Sequence, residues 1–222
     1  GIVIAGWVVS AAVGGAAERK SIDLMGPWKL LPVEGKDLGH EVPPVDERWL
    51  DYTAPALWTD RKHDSAWIVK DVEIAPEDAN QVFKFVFHGV YFHVRLFVNG
   101  RLVAEHVGGE VPFVCTVPDG VFRPGQNRIA IGMINASVVR RDGKCIWKDG
   151  VGEGWLWGHA EHFMPCSIHQ GKVGIWQPAE ILILPRVYID DVFVRTSTRR
   201  MHLDADVEVV NATDKPQLVT VR

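Results

Sequence analysis

The sequence predicts an all-β protein built as a β-sandwich, and three observations support this prediction. Nearly every periodic segment alternates apolar and polar residues with a period of two, the pattern of a strand with one buried face. Segments with a helical period are nearly absent. The chain also contains 21 glycines and 13 prolines that separate the alternating segments, and many short strands with such turns are typical of sandwiches and barrels.

The central strands follow directly from this alternation. Phe83, Phe85 and Phe87 lie on one predicted face of a strand. Asn99-Gly100 predicts a hairpin, because both positions of such a two-residue turn need a positive φ. The other residues that we predict to face inward are Val94, Leu96 and Val98 before that turn, Leu102 and Ala104 after it, and Ile129, Ile131 and Met133 in a later strand.

The segment 171–195 is the most informative part of the chain. A Gly-Ile-Trp motif at 174–176 leads into an alternating apolar strand, which is followed by Pro185 and by a second strand with an acidic pair at 190–191. This order predicts that one sandwich ends here and another begins. We predict that the last strand is half-buried with an acidic outer face, and its inward residues are Leu203, Ala205, Val207 and Val209.

Composition and charge exclude several classes of function. A chain of 222 residues with 47% hydrophobic and 23% charged residues has the composition of an ordinary globular protein. Its net charge of −4 provides no basic surface for nucleic acid or anionic lipid. We therefore expect neither a nucleic-acid partner nor a membrane partner, whereas a homo-oligomer stays open.

The N-terminal residues resemble a secretion signal. Residues 1–13 are apolar and uncharged, and small residues at 14–17 precede the polar Glu18. This pattern is typical of the apolar core and cleavage region of a signal peptide, and it is shorter than the about 20 apolar residues of a membrane span. We expect a signal-peptide remnant over 1–17 and an exported, periplasmic or extracellular, protein. A buried first strand is the alternative.

The three cysteines divide into two groups. Cys115 shares a predicted strand face with Phe113, which favours a buried thiol in the core. Cys145 and Cys166 lie in the same irregular region, and a disulfide between them is compatible with an exported protein.

Several segments together resemble glycoside hydrolase family 2. The similarity covers nearly everything after the predicted signal, and the pieces occur in the order that the family has. Each piece is a weak signal alone, but their joint order is a strong one, and the Gly-Ile-Trp motif is the most specific of them. The pieces are 22–28, 66–72, 85–90 with 98–100, 108–113, 125–127 and 174–176.

The resemblance implies a fold and a domain organisation. It corresponds to the family's junction between an N-terminal jelly-roll (galactose-binding-like) β-sandwich and an immunoglobulin-like β-sandwich. On this basis we assign 1–17 to the signal remnant, 18–185 to a jelly-roll sugar-binding domain and 186–222 to the truncated start of an immunoglobulin-like domain. The last segment supplies two or three strands, too few for an immunoglobulin-like fold of about 100 residues.

The resemblance also implies that the parent protein is a glycoside hydrolase. In that family a catalytic barrel follows the immunoglobulin-like domain and performs retaining hydrolysis with two carboxylates, one of them on a Glu preceded by Asn. This sequence contains no Asn-Glu step, so we expect no catalytic residue in it and an inactive chain. The implied partners are the protein's own C-terminal catalytic barrel and a β-linked glycoside, such as a galactoside, glucuronide or mannoside.

The segment 150–163 and its surroundings hold the candidates for contact with sugar. Indole rings stack on the apolar faces of sugars, and imidazole and carboxylate groups bond sugar hydroxyls. In some family members an Asp about six residues before the Gly-Ile pair reaches the sugar, and here that position is near Ile168, which makes the neighbouring His169 a candidate substitute. The substrate-binding candidates are Trp155, Trp157, His159, Glu161 and His169. Packing of both tryptophans onto the sandwich is the alternative.

The same segment raises the question of a metal site. His159, Glu161 and His162 are close in sequence, but their spacing matches no established zinc motif. We therefore predict neither a metal nor a cofactor.

Two other classes of protein remain as alternatives to the hydrolase. A free-standing carbohydrate-binding, lectin-like module would bind sugar without a hydrolytic parent, and a purely structural adhesion domain would bind no sugar. The sequence that follows this chain in the natural protein separates the three, because only the hydrolase needs a barrel with two catalytic carboxylates.

Overall fold

The computed structural model describes residues 19–33, 38–39, 41–58, 63, 65–135, 140–141, 144–145 and 173–219. Within them the predicted all-β fold is confirmed: antiparallel strands form a β-sandwich, and the one helical turn described is a 3-10 turn at Pro76–Asp78. The predicted signal remnant 1–17 and Cys166 lie outside the described residues, so the signal peptide and the disulfide stay predictions.

The strands in chain order are β1 (Lys20–Asp23), β2 (Gly26–Val33), β3 (Leu50–Ala54), β4 (Ser65–Ile74), β5 (Val82–Phe87), β6 (Val90–Tyr91), β7 (His93–Val98), β8 (Arg101–Val107), β9 (Phe113–Thr116), β10 (Gly125–Ile134), β11 (Arg140–Arg141), β12 (Lys144–Cys145), β13 (Gly174–Ile175), β14 (Ala179–Leu184), β15 (Val187–Ser197) and β16 (His202–Asn211). A four-stranded sheet has the order β1-β14-β5-β9, and a six-stranded sheet has the order β3-β2-β4-β10-β7-β8. The remaining strands form two-stranded ladders that pair β6 with β13, β11 with β12 and β15 with β16.

The main hydrophobic core lies between the two larger sheets. Phe85 and Phe87 on β5 are fully buried, as are Ile129 and Ile131 on β10. The phenylalanine rings stack along the four-stranded sheet, with the ring centroids of Phe85 and Phe87 5.8 Å apart and those of Phe87 and Phe113 5.7 Å apart. The predicted alternation is confirmed in these strands because each sheet turns one face toward the other.

A second apolar cluster covers the outer face of the six-stranded sheet. Trp67 and Phe97 are buried there with their ring centroids 5.4 Å apart, and the chain before β3 places Leu38 and Trp49 in the same cluster. The first half of β4 is therefore buried on both faces. Alternation does not appear in a strand that is covered on both sides.

The hairpin between β7 and β8 forms as predicted, with one correction on the return strand. Asn99 and Gly100 have φ values of 52° and 79°, as a two-residue hairpin turn requires. The prediction that Leu102 faces inward is wrong, because its side chain is 46% exposed. Ala104 pairs with Leu96 and Leu102 pairs with Phe97, so Val103 is an extra residue in the return strand. Because of this β-bulge, Ala104 still packs against the core while the side chain of Leu102 lies on the other face of the sheet.

The ladder β15–β16 follows the sandwich and is largely exposed. The prediction of a half-buried last strand is wrong for the described chain, since Leu203 is 64% exposed and Val207 37% exposed. The alternation itself is present, but no other described strand packs against the apolar face. The division of the chain between 18–185 and 186–222 stays a prediction.

Cys115 occupies the position expected of a core thiol. It lies partly buried on β9 and packs against the main core. Burial raises the pKa of its thiol to about 11. The reactive thiolate is therefore scarce near neutral pH.

Candidate functional site

The residues predicted to bind sugar all lie in a segment whose flanking residues, Ile134 and Gly174, pair with His93 and Tyr91, two positions apart in the chain. Strand β10 ends at Ile134, which pairs with His93 on one side and Ser65 on the other. The chain returns at Val173, which bridges to Trp58. We call this edge of the sandwich the loop end. Outside the described residues lie Trp155, Trp157, His159, Glu161 and His169, and the roles proposed for them stay predictions.

A buried tyrosine anchors the returning chain at the loop end. The hydroxyl of Tyr52 accepts a hydrogen bond from the amide of Ile175 at 3.0 Å and donates one to the carbonyl of Ala56 at 2.6 Å. Burial raises the pKa of Tyr52 to about 12. The hydroxyl therefore keeps its proton at physiological pH and can continue to donate.

Glycines allow the backbone around the Gly-Ile-Trp motif to pack closely. Gly174 has a φ of 145°, and a Cβ at this position would lie 2.3 Å from the carbonyl oxygen of Ala56. A Cβ on Gly89 would lie 2.7 Å from the indole of Trp176. These approaches explain why glycine occupies both positions, and they give the most specific motif of the sequence a structural function.

The tryptophan of the motif holds two neighbouring turns. The indole Nε1 of Trp176 donates to the carbonyl of Gly109 at 2.9 Å, and its backbone amide donates to the carbonyl of Gly89 at 3.0 Å. A Cβ on Gly109 would lie 2.1 Å from the ring of Tyr91. The turn before β9 and the turn after β5 are therefore fixed against the returning chain.

Sequence reasoning missed two aromatic residues at the loop end. The amide of Trp58 donates to the carbonyl of Val173 at 2.8 Å, and the amide of Val173 donates back at 3.0 Å. The ring centroid of Trp58 lies 6.4 Å from that of His63. The sequence offered one signal for these two residues: an aromatic residue and a histidine occur in the segment between β3 and β4. Their position beside the returning chain adds both to the candidates for ligand contact.

Charged residues line the flank of the loop end on β7 and β8. Nε of Arg95 lies 3.0 Å from Oε1 of Glu105, and Nε2 of His93 lies 3.9 Å from Oε2 of the same carboxylate. Burial, together with the neighbouring Arg95, lowers the pKa of His93 below its ordinary value. The neutral form of the imidazole is therefore favoured beside this ion pair.

His106 packs its ring onto the core at the same flank. Its ring lies parallel to that of Phe113 with the centroids 4.6 Å apart, and its Nε2 is buried without a hydrogen-bond partner among the described residues. Burial first, and then the charge of His93, lower the pKa of His106.

The half-buried imidazole of His106 predicts a pH dependence of the free energy of unfolding. Because the pKa of His106 is lower in the folded than in the unfolded state, its contribution is fully present above about pH 6.5, the ordinary value, and is lost as the pH falls through the folded pKa. We expect the variant His106→Phe, which keeps the ring stacking, to lose less free energy of unfolding than the parent between pH 7 and pH 5. Urea titrations at several pH values measure this difference, and parallel profiles would contradict it.

The described part of the chain holds no group of three or more His, Cys, Asp or Glu residues that could bind a metal, and none of its helices is long and apolar enough to cross a membrane. A groove of 690 Å³ lies at the opposite end from the loop end, between the turns that contain Ala79, Asp119 and Pro124.

The chain is similar in sequence and in fold to known proteins. No family model matches the sequence. A protein of Formosa agariphila named "Putative beta-glucuronidase" is 25% identical over 127 residues, which cover 53% of this chain and 15% of that protein. Among solved structures, the β-glucuronidase of an uncultured Clostridium species superposes with a TM-score of 0.65 at 20% identity, covering 91% of this chain and 36% of that one. The β-glucuronidase of Faecalibacterium prausnitzii gives 0.62 at 19% identity, covering 91% and 37%.

The resemblance to family 2 glycoside hydrolases is confirmed. The shared fold is that of a β-sandwich in these β-glucuronidases, and this chain spans about a third of their length. The Ruminococcus gnavus β-glucuronidase, whose structure has been solved in complex with D-glucuronic acid, matches with a TM-score of 0.62 at 15% identity, over 91% of this chain and 36% of that protein.

Proposed function

We propose that this chain is the N-terminal, non-catalytic part of an exported family 2 glycoside hydrolase that acts on O-glycosyl bonds, with a β-glucuronide as its substrate. The observation that carries this proposal is the match to β-glucuronidases over 91% of this chain but only 36% of theirs. A galactoside and a mannoside remain as other substrates of the same family. The alternative is a free-standing carbohydrate-binding module.

In this proposal the sandwich is a scaffold and the loop end is its functional edge. The catalytic barrel supplies two carboxylates about 5–5.5 Å apart, one as acid and base and one as nucleophile, with retention at the anomeric carbon. The sandwich holds the ends of the segment 136–172 through Ile134 and Val173. Binding groups at the edge of a rigid domain are well placed to form one wall of a pocket between domains.

The chemistry of a glucuronide fits the residue types of this segment. A glucuronide carries a carboxylate that a galactoside lacks, and guanidinium groups are the preferred partners of carboxylates. The short ladder β11–β12 places Arg140, Arg141 and Lys144 on paired strands between the two anchored ends. Stacking and hydroxyl contacts would come from Trp157, His159 and the other candidates of the segment, and also from Trp58 and His63 at the loop end.

The proposal is tested by comparing this chain with the full-length natural protein. Both are assayed on nitrophenyl β-glucuronide, β-galactoside and β-mannoside. We expect turnover of the glucuronide by the full-length protein and none by residues 1–222 alone. Turnover by the 222-residue chain that a substitution within it removes would overturn the proposal. Binding of sugar without hydrolysis by the full-length protein would favour the free-standing module.

Replacing Trp157 with alanine separates ligand contact from packing. If the indole stacks on the sugar, kcat/KM of the full-length protein should fall by the equivalent of about 1–3 kcal/mol, by analogy with aromatic stacking on bases, while the melting temperature is unchanged. The matched control is Trp49→Ala, since Trp49 is buried in the outer cluster of the sandwich. That variant should lose roughly 3–5 kcal/mol of stability and keep its kcat/KM at low temperature. A Trp157→Ala variant that behaves like this control would assign Trp157 to packing.

A further inference from the structure

One arginine connects the sandwich to both strands at the base of the β15–β16 ladder, where Val187 pairs with Asn211. Arg186 lies in the link between β14 and β15, and its Nη1 and Nη2 donate to the two carboxylate oxygens of Asp119 at 2.7 and 3.0 Å. Its Nη2 also donates to the carbonyl of Ala212. The amide of Ala212 donates back to the carbonyl of Arg186 at 2.7 Å. The turn after β9, the start of β15 and the residue after β16 are thereby joined at one guanidinium.

A second ion pair lies further along the outer face of the four-stranded sheet. Lys84 on β5 contacts the carboxylate of Asp190, and the two side chains are only 13% and 28% exposed. The ammonium group also lies 5.7 Å from the ring centre of Tyr188. Because both charges are half-buried, removing one leaves the other without its partner in a poorly solvated position.

Asp190 reaches Lys84 because of a β-bulge. The pairing of β15 with β16 shifts between Ile189 and Asp191, so Asp190 is the extra residue. The bulge has a second effect: it keeps Ile189 and Val192 on the same face of the ladder, where they pair with Val209 and Val207 on β16. The acidic residue that interrupts the alternation is therefore the one that contacts the sandwich.

The apolar contact between the ladder and the sandwich is small. Tyr188 is buried with Val82, Leu182 and Leu184 of the sandwich, and Val210 packs beside them. Beyond this base the strands are exposed: Val194 is 50% and Leu203 64% exposed. Because this apolar contact is small, we expect the two ion pairs to determine much of the orientation of the ladder on the sandwich.

We propose that Arg186 and Lys84 are positioning residues that set the orientation of the β15–β16 ladder on the sandwich. Arg186 fixes the base of the ladder to the turn that contains Asp119, and Lys84 fixes its bulge to the sheet. The consequence for catalysis rests on the proposed function: because the catalytic barrel would follow this ladder in the chain, the orientation of the ladder would set the distance between the loop end and the barrel.

The test measures hydrogen exchange at the base of the ladder in the full-length natural protein. In Arg186→Gln and in Lys84→Gln we expect the amides of Tyr188 and Ala212 to exchange about tenfold faster, as for the loss of one charge-assisted hydrogen bond, with unchanged exchange at Phe85. Lys29→Gln is the matched control, since Lys29 pairs with Asp51 at 2.6 Å within the six-stranded sheet. It should change none of these amides.

Charge reversal and activity complete the test. The double variant Arg186→Asp with Asp119→Arg should recover part of the protection that Arg186→Asp alone loses, because it restores the ion pair but not the hydrogen bond from residue 186 to the carbonyl of Ala212. For hydrolysis, Arg186→Gln should lower kcat/KM at an unchanged melting temperature. Unchanged exchange at Tyr188 and Ala212 in both single variants would overturn the proposal. Faster exchange in a full-length protein that hydrolyses no glycoside would leave the positioning role in place and overturn the proposed function instead.

Discussion

Alanine at position 174 is expected to destabilise the sandwich by roughly 2–6 kcal/mol, the sum of ~1–3 kcal/mol for overpacking and ~1–3 kcal/mol for a disfavoured φ. The new Cβ would lie 2.3 Å from the carbonyl oxygen of Ala56 and 2.9 Å from the hydroxyl of Tyr52. Neither atom can move freely, because the carbonyl belongs to the backbone and the hydroxyl is held by its bonds to Ile175 and Ala56.

Urea unfolding of Gly174→Ala measures this loss, and Gly100→Ala is its control. Gly100 also has a positive φ, 79°, but a Cβ there would meet nothing within 4 Å. The control therefore reports the cost of a left-handed φ without a close contact, about 1–2 kcal/mol, whereas the φ of 145° at Gly174 alone costs up to about 3 kcal/mol. Equal losses in the two variants would show that the close approach at the loop end is not rigid. A loss above about 3 kcal/mol for Gly174→Ala would show that the returning chain is a fixed part of the core.

The second large effect is a difference in hydrogen exchange within one chain. When residues 1–222 are expressed alone, the amide of Val207 should exchange roughly 10³-fold faster than that of Phe85, because local opening of an exposed ladder costs far less than global unfolding. Phe85 is fully buried, whereas Val192, Val194 and Leu203 are 48%, 50% and 64% exposed. An open apolar ladder of this kind is also prone to association.

Exchange is measured on a sample shown to be monomeric. Phe193 lies on the other face of the ladder and Arg195 pairs with Asp206 there at 2.7 Å, so a second copy can cover the apolar face without disturbing this pair. Equal protection of Val207 and Phe85 in the monomer would contradict the prediction. Protection of Val207 that appears only as the concentration rises would identify a dimer of this ladder.

Prediction from sequence succeeded where one local pattern decides the structure. The alternation of Phe83, Phe85 and Phe87 required only that one face of the strand be buried, and Asn99-Gly100 required only a tight turn. Prediction from sequence failed where a β-bulge adds one residue to a strand and shifts its pairing with the neighbouring strand. The bulges at Val103 and Asp190 depend on the partner strand, which the local alternation does not contain.

The candidate site was predicted only in part. The sequence concentrates aromatic and hydrogen-bonding residues between 150 and 169, which lie outside the described residues, and the structure shows that the flanking residues Ile134 and Gly174 pair with His93 and Tyr91 at the loop end. The sequence did not indicate Trp58 or His63 as candidates. Trp58 reaches the loop end through a bridge to Val173, which is far away along the chain, and His63 lies beside the ring of Trp58. Neighbours of that kind are set by strand pairing, which a reading of local residues does not show.

Local features of the sequence were sufficient to predict the class of fold, the position of most strands and the resemblance to family 2 glycoside hydrolases, because alternation, turn residues and the Gly-Ile-Trp motif are local patterns. How the motif is used depends on contacts between distant parts of the chain. The hydroxyl of Tyr52 meets the amide of Ile175 across 123 residues of sequence. Arg186 likewise meets Asp119 across 67 residues. Contacts of this range form only when both sheets are assembled, since they depend on the packing of whole strands and not on any one segment.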